Sequence, residues 1–290
     1  MQNPESPPNS IEKGEDQETL DSSATSRVAA RSRRVRFFQR ADSWFNRSVR
    51  LATAIHEGLW LGGLSADELN AVTAAHYGQS QESTSPEGNL RGFFDWERNA
   101  VERYFRAGSH VLVAGAGGGR EVLALRRAGY SAEGFECNPA LVDASHAIFD
   151  QLGEARGVFL CPPDQVPPGS SSYSAVIIGW TAYSHIPSRQ RREAFLRALR
   201  QRAFPGSPVL LSFFARPGSS GYDVLAFRIA NSIRSLVGGR KEPVELGDHL
   251  NWSYSHWFTR EEIESELRDA GIRLVDFGEV GEGYAVGIVE

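Results

Sequence analysis

Residues 111–136 read VLVAGAGGGREVLALRRAGYSAEGFE. An apolar run ends in a cluster of glycines, a stretch with helical spacing follows, and a second short segment ends in Glu136. The order is strand, tight loop, helix, strand, which is one βαβ unit. A helix returning between two strands of such length makes them parallel neighbours, so the segment sets the class of the whole domain.

The alternation continues outward from this unit. Towards the C-terminus, the pattern predicts a helix over 141–152, a short edge strand over 157–161 and a central strand over 175–179. A helix over 188–203 and a strand over 208–214 follow. A helix over 259–270 carries a capping box, Thr259 to Glu262, with Gly271 just past its end. Strands over 272–277 and 284–289 are joined too closely for a crossover, which predicts an antiparallel hairpin at the sheet edge. The fold class expected is α/β: a doubly wound, mostly parallel seven-stranded sheet with an antiparallel C-terminal hairpin and a helical N-terminal cap. The domain would span 93–290, with an insertion over 216–257 that holds a helix over 224–236 and the aromatic run Trp252, Tyr254, His256, Trp257.

Before the first strand, 95–105 has helical spacing, 78–92 reads as a polar loop, and 48–62 and 66–76 read as helices, the latter capped by Ser65 with Glu68. Residues 1–26 are rich in Pro, Ser, Glu, Asp and Gln and read as a disordered tail. Residues 27–92 form the basic and helical cap. Within it, 27–50 carries eight arginines among Phe37, Phe38, Trp44 and Phe45. That stretch reads either as a basic amphipathic helix touching an anionic surface or nucleic acid, or as a solvated helix whose aromatic face packs on the main domain.

Bulk properties exclude several classes. A formal net charge of −5 gives no general attraction to nucleic acid or membranes. Cys137 and Cys161 make no disulfide framework and no metal-type CxxC, so no metal is expected and a reducing, cytoplasmic setting is the simplest expectation. No apolar run reaches transmembrane length.

The glycine loop carries the chemistry. Gly115, Gly117, Gly118 and Gly119 sit where a strand hands over to a helix, where missing side chains let a ligand approach the free N–H groups of the helix start. Glu136, one βαβ step later, is placed to accept hydrogen bonds from ribose hydroxyls. A dinucleotide loop needs a small residue at its last position. Counted from Gly115 that position is Arg120, and counted from Gly117 it is Val122, so neither register fits. The spacing GxGxG fits as Gly115, Gly117, Gly119.

On these residues, residues 95–290 resemble the class I S-adenosylmethionine-dependent methyltransferases. VLVAGAGGG resembles that family's first motif, GFECNPALV its acidic second motif, and HWFTREEIESELRDAGIRLVDF its last helix and strand. The resemblance implies S-adenosyl-L-methionine as cofactor. Gly115, Ala116, Gly117 and Gly119 would form its loop, Glu136 would hold the ribose, Cys137 and Asn138 would flank the adenine, and Asp164 would receive the adenine amino group. Gly179 and Trp180 would close the site after the fourth strand. Asp164 reads equally as a turn residue after Pro162-Pro163. One departure stands out: the family usually carries an acid two residues before the first glycine, and here that position is Val113. Another group must supply that contact at the methionine end, with His76 and Tyr77, or Arg120, as the expected sources.

The segment GWTAYSHIP, 179–187, leaves the fourth strand at the edge where ligands collect in this fold. His185 is the candidate base for a hydroxyl or amine acceptor, and Tyr183 a candidate orienting group; His56, His76 and His256 are rivals. His185 reads also as a cap or packing residue. The place where amino-methylating DNA enzymes of the family carry Asp/Asn-Pro-Pro-aromatic reads Gly179-Trp180-Thr181-Ala182-Tyr183, so DNA is not an expected substrate. The expected function is methyl transfer to oxygen or nitrogen of a small-molecule acceptor; the insertion reads either as a substrate lid or as a segment whose aromatics pack its helix onto the core. The alternatives are a macromolecular (protein or RNA) acceptor, with 27–50 as tether, a non-catalytic cofactor-binding protein, and a nicotinamide oxidoreductase.

Overall fold

The computed structural model describes residues 33–170, 173–216, 218–237, 242–279 and 283–290. The tail expected over 1–26 and residues 27–32 lie outside them. The chain divides into two units, 1–53 and 54–290. In the first, the described residues form the start of helix α1 (Arg33–Gly63), and the second begins within the same helix. The helix expected over 48–62 is thus the end of a longer one, because no proline or glycine interrupts 33–57.

In the second unit α1 leads to α2 (Ala66–Gln79), α3 (Gln81–Thr84), α4 (Pro86–Leu90) and α5 (Asp95–Tyr104). The Ser65–Glu68 capping box forms, with Ser65 N–H donating to Glu68 Oε2 at 2.7 Å and Glu68 N–H to Ser65 Oγ at 3.3 Å. The polar loop expected over 78–92 instead contains α3 and α4. Ser80 and Ser85 each accept from a backbone N–H three residues on, and Pro86 fits the first turn, so two one-turn helices form where composition alone suggested a loop.

The α/β core follows as β1 (His110–Ala114), α6 (Arg120–Arg127), β2 (Ser131–Glu136), α7 (Pro139–Leu152), β3 (Val158–Leu160), β4 (Ala175–Ile178), α8 (Arg189–Arg202) and β5 (Pro208–Ala215). The insertion contributes α9 (Gly221–Val237), β6 (Asp248–Leu250) and β7 (Tyr254–Phe258), and the chain ends with α10 (Arg260–Asp269), β8 (Ile272–Gly278) and β9 (Gly283–Val289). The main sheet runs β3-β2-β1-β4-β5-β9-β8, with β9 antiparallel to both β5 and β8 and the other pairs parallel. The mostly parallel seven-stranded sheet is as expected, antiparallel hairpin included. Where β5 runs on past its pairing with β4, Phe214 and Ala215 pair with β7, which carries β6. The β6–β7 hairpin is the element the aromatic run concealed.

Side-chain alternation along the strands divides the core into two layers. Val111 and Val113 of β1 and Ala175 and Ile177 of β4 face α5, α6 and α7. Leu112, Ala114, Val176 and Ile178 face α8 and α10, with Phe195, Leu199, Ile263 and Leu267. Strands buried on both faces explain why β1, β4 and β5 read as unbroken apolar runs.

Under α8, Arg192 holds Glu266 of α10 through Nε at 3.1 Å and Nη2 at 2.7 Å, and Tyr183 donates to Glu266 Oε2 at 2.5 Å. Glu245 and the His256–Asp248 pair of the insertion adjoin this network. The network ties the insertion to the core from below.

Candidate functional site

A cavity of about 420 Å³ opens at the carboxyl ends of β1, β2 and β4, and the glycine loop, the 135–138 turn, Pro162–Gln165 and Trp180–Ala182 form its walls. Asn70, Thr73, Ala74 and Tyr77 of α2, with Ser83 and Asn89, form its roof. The roof is seated by Asn89, a buried residue whose amide donates to the Ser83 and Ser85 carbonyls. That amide lies so close to Gly118 that a Cβ there would come within 2.4 Å of it. Asn138 ties the same roof to α7: it caps the helix through Oδ1 and donates from Nδ2 to the Ala74 carbonyl at 2.8 Å.

The wall formed by β1 and β2 carries most of the expected residues. Glu136 lies at the tip of β2, and its carboxylate accepts from the N–H groups of Gly117 (3.0 Å), Cys137 (2.8 Å) and Asn138 (2.9 Å). The loop and the acid are therefore locked together, with Oε1 taken by two N–H groups and a lone pair of Oε2 left for a hydroxyl. Gly115, Ala116, Gly117, Cys137 and Asn138 all line the cavity, but Gly119 does not. Gly119 caps α6 at φ 93°, and a Cβ there would sit 2.7 Å from the Phe149 ring, so its glycine serves helix–strand packing. The Cys137 thiol is pushed well above its ordinary value by restricted solvation and by the adjoining Glu136 carboxylate, which makes it a wall and not a nucleophile.

Asp164 lines the cavity too, with Oδ2 accepting from Asn70 (2.8 Å) and from Arg191 (3.0 Å). Burial raises its carboxyl pKa, while those two donors pull it down. The residue links the cap to α8 as well as facing the pocket. Gly179 stands behind the wall: a Cβ there would meet the Gly115 carbonyl oxygen at 2.3 Å, so it permits β4 to pass the loop and does not reach the cavity itself.

At the β4 side the structure brings together residues that spacing did not connect. Trp180 lines the cavity, and its N–H donates to Glu121 Oε1 at 3.1 Å. The same oxygen accepts from Arg120 Nη2 at 2.7 Å, and Arg120 also forms two 2.6 Å bonds with Glu97. Arg120 is thus fully engaged, over the ring of Phe94 and on the Gly92 carbonyl, and does not offer its charge to a ligand. Two acidic groups share one guanidinium, which leaves the triad short of positive charge. Glu121 lines the cavity, and among the described residues nothing donates to its Oε2. Val113, where an acid was missing, is wholly buried among apolar side chains.

His185 lines the cavity and Tyr183 does not. Tyr183 is fully buried, stacked on Phe258 and bonded to Glu266, so the orienting role expected of it has no access to a ligand. The His185 Nδ1 lies 2.6 Å from the Tyr254 carbonyl and its Nε2 2.8 Å from the Tyr77 hydroxyl. A carbonyl only accepts, so Nδ1 carries the proton and Nε2 accepts from Tyr77. Burial lowers the imidazole pKa to about 4, which keeps it neutral around pH 7. Tyr77 thus lines the site in company with His185. The pairing spans a separation of 108 residues, and no sequence signal marks it.

The aromatic run of the insertion does not line the cavity. Tyr254 and His256 are buried, Trp252 is exposed, and the run supports the site from behind: the Tyr254 carbonyl holds His185, its N–H donates to Thr73 Oγ1 at 3.1 Å, and Trp257 stacks on Phe214. The residues that cover the cavity come from α2–α4. The rival base His256 is committed to Asp248, and His56 accepts from Trp60, while His76 lines the pocket.

No family model matches the chain, and no curated protein matches it. Solved structures do. The CcbJ methyltransferase from Streptomyces caelestis aligns with TM-score 0.54 and 15% identity over 75% of this chain and 98% of its own. The 1,6-didemethyltoxoflavin-N1-methyltransferase of Burkholderia thailandensis, solved with S-adenosylhomocysteine, aligns with TM-score 0.54 and 18% identity over 78% and 92%. A SAM-dependent methyltransferase from Methanosarcina mazei aligns with TM-score 0.51 and 17% identity over 69% and 100%. The chain has the fold of the class I S-adenosylmethionine-dependent methyltransferases.

Proposed function

We propose that the protein transfers a methyl group from S-adenosylmethionine to an oxygen or nitrogen of a small-molecule acceptor. The observation that carries this reading is the cavity itself, with Glu136 and the glycine loop on one wall, Glu121 on the other and the Tyr77–His185 pair beside them. Its volume is ordinary for a small-ligand site, and the α2–α4 roof suits a compact acceptor better than a polymer. The Burkholderia thailandensis neighbour, named as a 1,6-didemethyltoxoflavin-N1-methyltransferase and solved with that compound bound, is in keeping with a small acceptor.

In this reading the Gly115–Gly118 backbone receives the cofactor's central portion, Glu136 its ribose hydroxyls, Cys137, Asn138 and Asp164 its adenine, and Glu121 Oε2 its ammonium group. The triad's shortage of positive charge suits a cationic ligand, and Glu121 supplies the acid that Val113 does not. When bound, the cofactor supplies an electrophilic methyl group on a sulfonium. The protein's part is to align the acceptor for in-line attack. Tyr77 Oη, which donates to His185 Nε2 while Nδ1 stays on the Tyr254 carbonyl, accepts a hydrogen bond from the acceptor's O–H or N–H and turns the acceptor's lone pair towards the methyl group. With a pKa of about 4 the imidazole fixes the tyrosine and is not the final proton acceptor, so the acceptor's proton leaves to solvent.

Calorimetry with S-adenosylhomocysteine and with NAD, followed by radiolabelled methyl transfer to a panel of small hydroxyl and amine compounds, tests the reading. Homocysteine-nucleoside binding and transfer to a small acceptor are expected. Binding without transfer to any acceptor would favour a non-catalytic protein, and binding of NAD alone would overturn the cofactor assignment.

A further inference from the structure

Arg33–Thr53, the described part of the first unit, is a helix that segregates its residues. At about 100° per residue, Phe37, Ala41, Trp44, Phe45, Phe38 and Val49 fall within an arc of about 140°. Arg33, Arg36, Arg40, Arg47 and Arg50 fall within an arc of about 100° on the other side, and Arg34 of the first turn falls within the aromatic arc. The aromatic residues are not covered: Phe37 is 76% exposed, Phe38 67%, Trp44 72% and Phe45 61%. Arg36, Arg40 and Arg47 line one shallow groove that reaches Trp44. Residues 33–53 carry six arginines against one acid, Asp42, so the helix is locally cationic in a chain whose formal net charge is −5.

We propose that this helix lies in the interface of an anionic phospholipid surface, aromatic arc towards the acyl chains and arginines among the phosphates. Charge complementarity selects the partner. A helix with a wide aromatic face and a cationic opposite flank matches the boundary between headgroups and chains. A second copy of the helix fits less well, because a two-helix seam is narrow and leaves Phe38 and Phe45 outside it. RNA also fits less well, since stacking on bases needs cations interleaved with aromatics on one face, and here Arg34 is the one arginine of the described helix that shares the aromatic arc. This docking does not depend on the methyl-transfer reading.

The test is co-sedimentation of the full chain with vesicles of phosphatidylcholine alone and of phosphatidylcholine with phosphatidylglycerol. Binding to the anionic vesicles is expected, with far weaker binding to the neutral ones. The triple variant Arg36→Glu, Arg40→Glu, Arg47→Glu is expected to weaken anionic-vesicle binding by on the order of a hundredfold or more. The variant Phe37→Ser, Trp44→Ser, Phe45→Ser is expected to abolish it, with circular dichroism and thermal unfolding showing the main domain intact. Three results would overturn the proposal: no binding to anionic vesicles, binding untouched by the aromatic substitutions, or a homodimer or an RNA complex that those substitutions disrupt while vesicles are ignored.

Discussion

The two walls of the cavity reach similar chemistry by different routes. On the β1–β2 wall, Glu136 and the glycine loop lie within one continuous βαβ unit, and the Glu136 carboxylate is fixed by backbone N–H groups of Gly117, Cys137 and Asn138. On the β4 wall, Glu121 and His185 are fixed by side chains and carbonyls from distant segments: Arg120 with Glu97, the Trp180 N–H, Tyr77 and Tyr254. A wall built from local backbone is set by the motif. A wall built from long-range side-chain contacts is set by how the cap, the insertion and the core meet.

Three substitutions probe that contrast. The largest effect is expected at the β4 wall. Tyr77→Phe removes the hydroxyl between acceptor and His185 and should lower kcat about a hundredfold while leaving S-adenosylhomocysteine affinity nearly unchanged, as read by steady-state kinetics beside calorimetry. A fall in cofactor affinity instead would make Tyr77 part of the cofactor wall. On the β1–β2 wall, Glu136→Ala should weaken S-adenosylhomocysteine binding by about 1–3 kcal/mol, and 5′-methylthioadenosine equally, because both carry the ribose. Unequal losses would move Glu136 away from the ribose. The smallest change divides the two walls within one ligand: Glu121→Gln should weaken S-adenosylhomocysteine about tenfold and leave 5′-methylthioadenosine, which lacks the amino-acid end, unaffected. Equal losses for both ligands would show that Glu121 acts on the loop and not on the ammonium.

The same division explains what was legible. VLVAGAGGG and the alternation after it made legible the seven strands of the main sheet and the place of Glu136, because apolar periodicity and glycine loops are local signals, while β6 and β7 of the insertion stayed hidden. Glu121 carried no such signal. It follows Arg120 in a helix start and reads as a solvated acid until Glu97, from α5, takes the arginine and turns the pair inward. Tyr183 shows the opposite case: its position in GWTAYSHIP suggested the pocket, but the short helical turn over Ala182–His185 points it into the core, towards Glu266. The insertion's aromatics were expected to form a lid or to pack. Tyr254 and His256 pack, and the roof comes from α2–α4.

By itself, then, the sequence determined the sheet, the glycine loop and the acid at the tip of β2, since each depends on residues near one another in the chain. The tertiary structure alone decided that Glu121 faces the cavity, which tyrosine partners His185 and which helices cover the cavity. Those choices depend on contacts between segments tens to more than a hundred residues apart, whose buried charges and hydrogen bonds are satisfied only once the domain has closed around them.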